Sequence, residues 1–162
     1  MLKGIDPLLS PELLKVLAEM GHGDAIVIVD ANFTATTLGL GKPVIRLPGI
    51  GLQRACAAVL SVFPLGLPAE QPVAFMKVSE RPDGYLSPLQ QSVIQLCAQH
   101  ALPNEVQCEA VERFAFYERV RQAYAIVQTG ELQPFANFLF KKGVITAAPA
   151  ALAADQGGTL DV

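Results

Sequence analysis

Leu13, Leu14, Leu17 and Met20 recur at helical spacing and predict an amphipathic helix. Ser10 supplies its cap, Pro11 its first turn and Glu12 a charge at the positive end of the dipole; Gly21 is the expected stop. Ala25-Ile26-Val27-Ile28-Val29 is apolar throughout and rich in β-branched residues, which predicts a strand buried on both faces. Residues 32–42, with three threonines and two glycines, read as a loop. Val44 to Leu47 reads as a short strand broken by Pro48-Gly49, and Leu52 to Phe63 as a second helix. Pro64 to Pro72 reads as a connector, Val73 to Val78 as a third strand and Glu80 to Leu86 as a turn. Ser87-Pro88 repeats the Ser10-Pro11 opening and starts a helix to about His100, with Leu89, Val93, Leu96 and Cys97 inward. Val106 to Ala110 reads as a short strand and Phe114 to Ala123 as a helix. Tyr124 to Gln128 reads as a strand turning at Thr129-Gly130, and Asn137 to Phe140 as the last strand. Strands alternating with helices predict an α/β fold, a single layered domain with a central sheet flanked by helices. That domain is expected over 1–147. Residues 148–162 are dominated by Ala, Gly, Asp and Thr and predict a tail, disordered or lying on a neighbouring subunit.

Composition changes this picture in one respect. At 162 residues the chain suits one well-buried domain, yet 51% of it is apolar and only 17% charged. A lone copy has too little polar surface to cover itself, so a large homo-oligomeric interface is expected. The net charge of −3 argues against nucleic-acid or anionic-membrane partners, and the one basic doublet, Lys141-Lys142, is too small to alter that. No segment approaches the ~20 apolar residues of a membrane span. Asp6, Pro7, Pro11 and Glu12 interrupt any signal-peptide core. Cys56, Cys97 and Cys108 form no CxxC pair, so neither zinc nor a disulfide framework is indicated. They read as small buried hydrophobes in a reducing cytoplasm. Gly39-Leu40-Gly41 and Gly49-Ile50-Gly51 match no phosphate-binding pattern, and no cofactor site is expected.

Candidate chemistry begins at Met20-Gly21-His22-Gly23-Asp24. His22 sits between two glycines, open to a ligand, and histidine is the side chain best suited to moving protons near neutrality. Its alternative role is to cap the C-terminus of the first helix. Asp30 ends a buried strand, where polar residues line ligand crevices in α/β sheets, or else bonds its own turn. Asp24 reads as a turn residue or an orienter of His22. Arg113 stands just ahead of an aromatic helix start, Phe114-Ala115-Phe116-Tyr117, which can hold it over a pocket. Tyr117 and Tyr124 each carry a hydroxyl, although such aromatics commonly belong to the core. His100 reads as a helix-terminal cap.

These residues fall into a pattern. Leu8 to Asp30 resembles the N-terminal signature of the L-fucose mutarotase and D-ribose pyranase family. Arg113-Phe114-Ala115-Phe116-Tyr117-Glu118-Arg119, Thr129-Gly130-Glu131 and Asn137-Phe138-Leu139-Phe140-Lys141-Lys142-Gly143-Val144 agree in order. The Arg113–Arg119 block places the chain nearer the fucose branch. The resemblance implies a cofactor-free enzyme that interconverts the anomers of a free sugar. It makes the residue at His22 the proton donor, and assigns sugar contacts to Asp30, Arg113, Phe135, Ala136 and Asn137. It further implies a ring-based homo-oligomer, commonly a decamer. Phe135 stands where the family usually has tyrosine, the loop after Asp30 lacks a common proline, and the middle of the chain is diverged. The alternatives are a D-ribose pyranase, exchanging ring sizes by the same proton transfers, and a non-catalytic monosaccharide-binding accessory protein.

One expectation concerns geometry. His22 and Asp30 bracket a strand, and eight residues at ~3.3 Å each separate them by up to ~26 Å when fully extended. A monosaccharide does not span that distance, which points to a site shared between neighbouring subunits.

Overall fold

The computed structural model describes residues 2–101 and 105–146. Its centre is a six-stranded sheet of β1 (Ala25–Val29), β2 (Val44–Leu47), β3 (Val73–Met76), β4 (Cys108–Val111), β5 (Ala125–Thr129) and β6 (Phe138–Lys141). The strand order is β2-β5-β1-β6-β3-β4. β2, β5 and β1 run parallel, as do β3 and β4; β6 lies antiparallel between β1 and β3 and joins the two parallel groups.

Alternation along the strands divides the core into two layers. Ile26, Ile28, Phe75, Phe138, Phe140 and Val127 face one side. There they pack with residues of α1 (Pro11–Glu19), α3 (Leu52–Leu60) and α4 (Pro88–Ala101). Val27, Val29, Ala74, Met76, Ile126 and Leu139 face the other, with α2 (Ala35–Leu38) and α5 (Arg113–Gln122). Two faces covered by helices explain why β1 and β5 lack a polar-apolar alternation. No described helix is long and apolar enough to cross a membrane.

The α/β expectation therefore holds, with local differences. Residues 32–42 contain α2 rather than a continuous loop. The second helix ends at Leu60, three residues early, and the third strand ends at Met76 rather than Val78. The strand expected over Val106–Ala110 lies at Cys108–Val111. The connector 64–72 carries a 3₁₀ turn at Pro68–Glu70. Helix α1 ends at Glu19 with Met20 extended as its cap, so Gly21 is not the stop; the left-handed residue is Gly23, φ 84°. The expected tail 148–162 lies outside the described residues.

Candidate active site

The topology brings four chain segments to one edge of the sheet. β1, β3 and β4 all point their carboxyl ends there, while β6 begins there because it runs the other way. Ile28 pairs with Phe138 and Phe138 with Phe75, so Asp30, Asn137 and Met76 meet at the strand ends. Arg113 follows β4 at the start of α5. Beyond these ends lies a cavity of about 200 Å³ lined by Asp30, Phe33, Met76, Arg113, Phe135 and Asn137, with Asn32, Tyr117 and Pro134 completing the wall. A cavity of about 150 Å³ holds a benzene ring, so this one suits a single six-membered ring.

Each polar group in it is held from behind. Asp30 is 4% exposed. Its backbone N–H donates to Asn137 Oδ1 at 3.0 Å, and its Oδ1 accepts from the Asn32 N–H at 2.9 Å. It thus fills both roles expected of it, a turn aspartate and a cavity wall. Burial pushes its carboxyl above the usual aspartate value; the Asn32 N–H, the Asn137 side chain and the Phe33 N–H oppose this, and nearby Glu131 adds to it. The loop after Asp30 is tied to β5: Gln128 Nε2 donates to the Ala31 and Phe33 carbonyls, and Thr129 Oγ1 donates to the Val29 carbonyl.

Arg113 rests on an aromatic platform. Its guanidinium carbon lies 5.6 Å from the Phe114 ring centre and 5.5 Å from that of Tyr117, and its Nε–H donates to the Tyr117 hydroxyl at 3.0 Å. Phe33 meets Tyr117 edge-on at 5.5 Å. This stack holds the guanidinium in place at the cavity wall.

Phe135 adopts φ 62°, the left-handed region that a bulky side chain rarely occupies. Its carbonyl accepts from Gln90 Nε2, which also donates to the Met76 carbonyl at 2.8 Å. Asn137 is buried and committed to Asp30 and to Met76 Sδ. Ala136 is fully buried, and its side chain belongs to the core.

His22 is not in this cavity. It lies before the start of β1, at the opposite edge of the sheet, where Gly23 N–H and Asp24 C=O pair with Lys142. Its Nε2 is 2.7 Å from Glu70 Oε1. Capping of α1 falls instead to Lys142, whose Nζ donates to the Leu17 and Met20 carbonyls at 2.7 and 2.6 Å. Asp24 is a turn residue: its Oδ2 accepts from the Gly21 N–H at 2.7 Å. Tyr124 lies away from the cavity, its hydroxyl 3.4 Å from Glu19. His100 is in the last turn of α4, as expected.

Two residues escaped the sequence reading. Gln90 forms a reciprocal cap with Ser87, its Oε1 accepting from the Ser87 N–H and its N–H donating to Ser87 Oγ. The Ser-x-x-Gln spacing was the available signal. Glu70 sat in an apparent connector and offered none.

Comparison with known proteins gives a consistent answer. A family model described as the RbsD / FucU transport protein family matches residues 3–145. The chain is similar to the L-fucose mutarotase of Actinobacillus pleuropneumoniae serotype 5b (strain L20), 43% identical over 144 residues, 89% of this chain and 97% of that protein. It is 40% identical over 147 residues to the fucose mutarotase of Bos taurus, covering 89% and 94% of the two chains. The crystal structure of the fucose mutarotase from Streptococcus pneumoniae in complex with L-fucose superposes with a TM-score of 0.80 at 36% identity, over 90% of this chain and 100% of that one.

Proposed function

This chain belongs to the RbsD / FucU transport protein family, and from that premise we infer that it is an isomerase interconverting the α and β anomers of a free monosaccharide, L-fucose first among them. The observation that carries the reading is the cavity at the strand ends. There a buried carboxylate, a guanidinium held on aromatic rings and the face of Phe135 converge on space for one sugar ring. Carboxylate and guanidinium suit vicinal hydroxyls; the aromatic face suits the C–H edges of the ring.

Mutarotation needs proton transfer and rotation, nothing else. The anomeric hydroxyl gives up its proton to a base as the C1–ring-oxygen bond breaks. The bonding pair goes to the ring oxygen, which takes a proton from an acid, and C1 becomes the aldehyde carbon. Rotation about C1–C2 and reversal of the transfers close the ring on the other face. One placed acid/base group supplies roughly 10²–10⁴-fold. In this reading His22 is the proton donor. Asp30, whose burial favours holding a proton, grips hydroxyls and shares the traffic; Arg113 orients the ring; Phe135 stacks on it. Asn137 and Ala136 act through the backbone they shape, since Asn137's amide is already engaged with Asp30 and Met76.

His22 and Asp30 occupy opposite sheet edges, so His22 acts on the cavity of a neighbouring copy in a homo-oligomer built from rings, such as a decamer. Exposed Leu40, Phe114 and Leu132, at 79, 67 and 75%, support a covered surface, and the last two border the site's own segments. The free thiols of Cys56, Cys97 and Cys108 support a reducing, cytoplasmic setting.

Saturation-transfer NMR reads anomer exchange directly. L-Fucose is expected to exchange faster with the protein than without, ahead of ribose, galactose and rhamnose. His22→Ala is expected to lose roughly 10²-fold or more of that acceleration with fold and assembly kept. No acceleration for any of the four sugars overturns the activity, and a fully active His22→Ala protein overturns the role of the histidine.

A further inference from the structure

Glu70 reaches His22 across a sequence gap of 48 residues, and it does so from a rigid seat. It ends the 3₁₀ turn Pro68–Glu70, and Pro68 fixes the entry to that turn. Gln71 follows in a left-handed conformation, φ 47°, and turns the chain into β3. The Glu70 carbonyl accepts from Lys141 Nζ at 3.1 Å, which ties the turn to β6. Its Oε2 accepts from the Leu67 N–H at 2.7 Å, and Gly66 leaves that oxygen its place, since it would have to shift from a Cβ lying 2.7 Å away. The second oxygen, Oε1, is left to face His22 Nε2 at 2.7 Å. On the histidine side the ring is aimed by a turn that Gly23 bends and that Lys142 and Asp24 pin. The pair is half-open to solvent, with side chains 55 and 36% exposed. That openness costs it stabilising value but leaves the rest of the ring accessible.

The chemistry of the contact fixes the tautomer. The Leu67 N–H, aided by His22, holds the Glu70 carboxyl below the usual carboxylate range. An ionised carboxylate only accepts hydrogen bonds. Nε2 therefore carries the proton in the neutral ring, and Nδ1 carries the lone pair.

We propose that Glu70 is the positioning residue of the proton donor: it holds the His22 ring with Nε2–H toward itself and leaves Nδ1 as the nitrogen that exchanges the proton with the sugar. The proposal rests on His22 being the proton donor. In the cationic ring Nδ1–H gives its proton to the ring oxygen as the C1–oxygen bond breaks. Nδ1 then holds the lone pair that recovers a proton when the ring closes, while Nε2–H stays on Glu70 throughout.

Glu70→Gln separates positioning from support. Glutamine has one acceptor oxygen, and the Leu67 N–H claims it. The amide NH₂ then faces His22 and asks Nε2 to accept, which moves the ring proton to Nδ1. In ¹⁵N NMR of full-length protein, wild-type His22 is expected as the Nε2–H tautomer with a hydrogen-bonded ring N–H. Glu70→Gln is expected to shift the ring toward Nδ1–H. In the exchange assay, kcat is expected to fall roughly ten-fold, with KM held within about two-fold because the sugar contacts are untouched. An unchanged tautomer, or an unchanged kcat beside an inactive His22→Ala, overturns the role of Glu70 alone. An active His22→Ala protein overturns both readings. Should Glu70→Gln fail to fold, the wild-type spectrum decides: a ring sampling both tautomers without a bonded N–H overturns the proposal.

Discussion

Asp30 shows what burial does to a carboxyl group at the cavity wall. Its carboxyl is raised by burial, so the folded protein holds that proton more tightly than the unfolded chain. Its favourable share of stability is then complete below the ordinary aspartate value of 3.8 and is lost as pH rises through the higher folded value. At neutral pH the charge is a liability. Asp30→Asn keeps the Asn32 hydrogen bond and removes the charge. It is expected to raise the melting temperature at pH 7, with the gain shrinking as pH falls through the raised folded value and gone below the ordinary value of 3.8, while anomer exchange drops roughly 10²-fold. A variant less stable than wild type at pH 7 would count against this account of the carboxylate. Phe135 carries strain of another kind in its backbone, about 1–3 kcal/mol for a non-glycine residue in that region. It persists because Gln90 grips its carbonyl.

At the scale of elements, α4 serves the site through its first turn. Gln90 is 1% exposed and closes the helix cap with Ser87 while reaching the Met76 and Phe135 carbonyls. Gln90→Leu fills the space but removes the hydrogen bonds to those carbonyls and to the Ser87 N–H, at a cost of about 1–3 kcal/mol for a buried group left unpaired. Thermal unfolding is expected to report that loss, and sugar titration a raised KM from the loosened Phe135. An unchanged KM would mean Phe135 does not depend on this brace. The elements that were legible in the sequence are those whose local pattern matches their setting. Ser10-Pro11 and Ser87-Pro88 mark helix starts, and the runs at 25–29 and 125–127 are apolar because both faces are covered. What was hidden depends on partners far along the chain. The short helix at Ala35–Leu38 forms against α5, in the layer it shares with Phe116 and Val120. The carbonyls at the end of α1 are taken by Lys142, so the residue next to that end, His22, was free for another partner. Asp30 and Arg113 were readable as candidates from their local setting, Phe135 and Asn137 only through the family resemblance. That they share one cavity follows from the antiparallel entry of β6, whereas the distance of His22 from it was already legible in the strand that His22 and Asp30 bracket.

For the whole molecule, the separation of His22 from Asp30 across the sheet means that the proposed mechanism requires assembly. A substitution that leaves isolated folded copies is expected to abolish anomer exchange with both residues intact. Mixing inactive His22→Ala and Asp30→Asn subunits is expected to restore part of the activity, because some interfaces then carry both wild-type residues. Activity in a monomer, or no recovery in well-mixed oligomers, would place the site within one chain. The strand order has a consequence for synthesis. β1 is the first strand made, and its neighbours, β5 and β6, are the last two. Ile26 must wait for Ala125 and Phe140. At ~5–20 residues per second, a ribosome keeps that apolar strand without its pairing partners for roughly 5–20 s, open to any stray strand nearby. The nascent chain therefore passes through no half-built working form. Sheet, cavity and the His22 turn close together when the last strand slides in, so a ribosome that stalls before Asn137 releases a chain with an aggregation-prone first strand and no fraction of an enzyme.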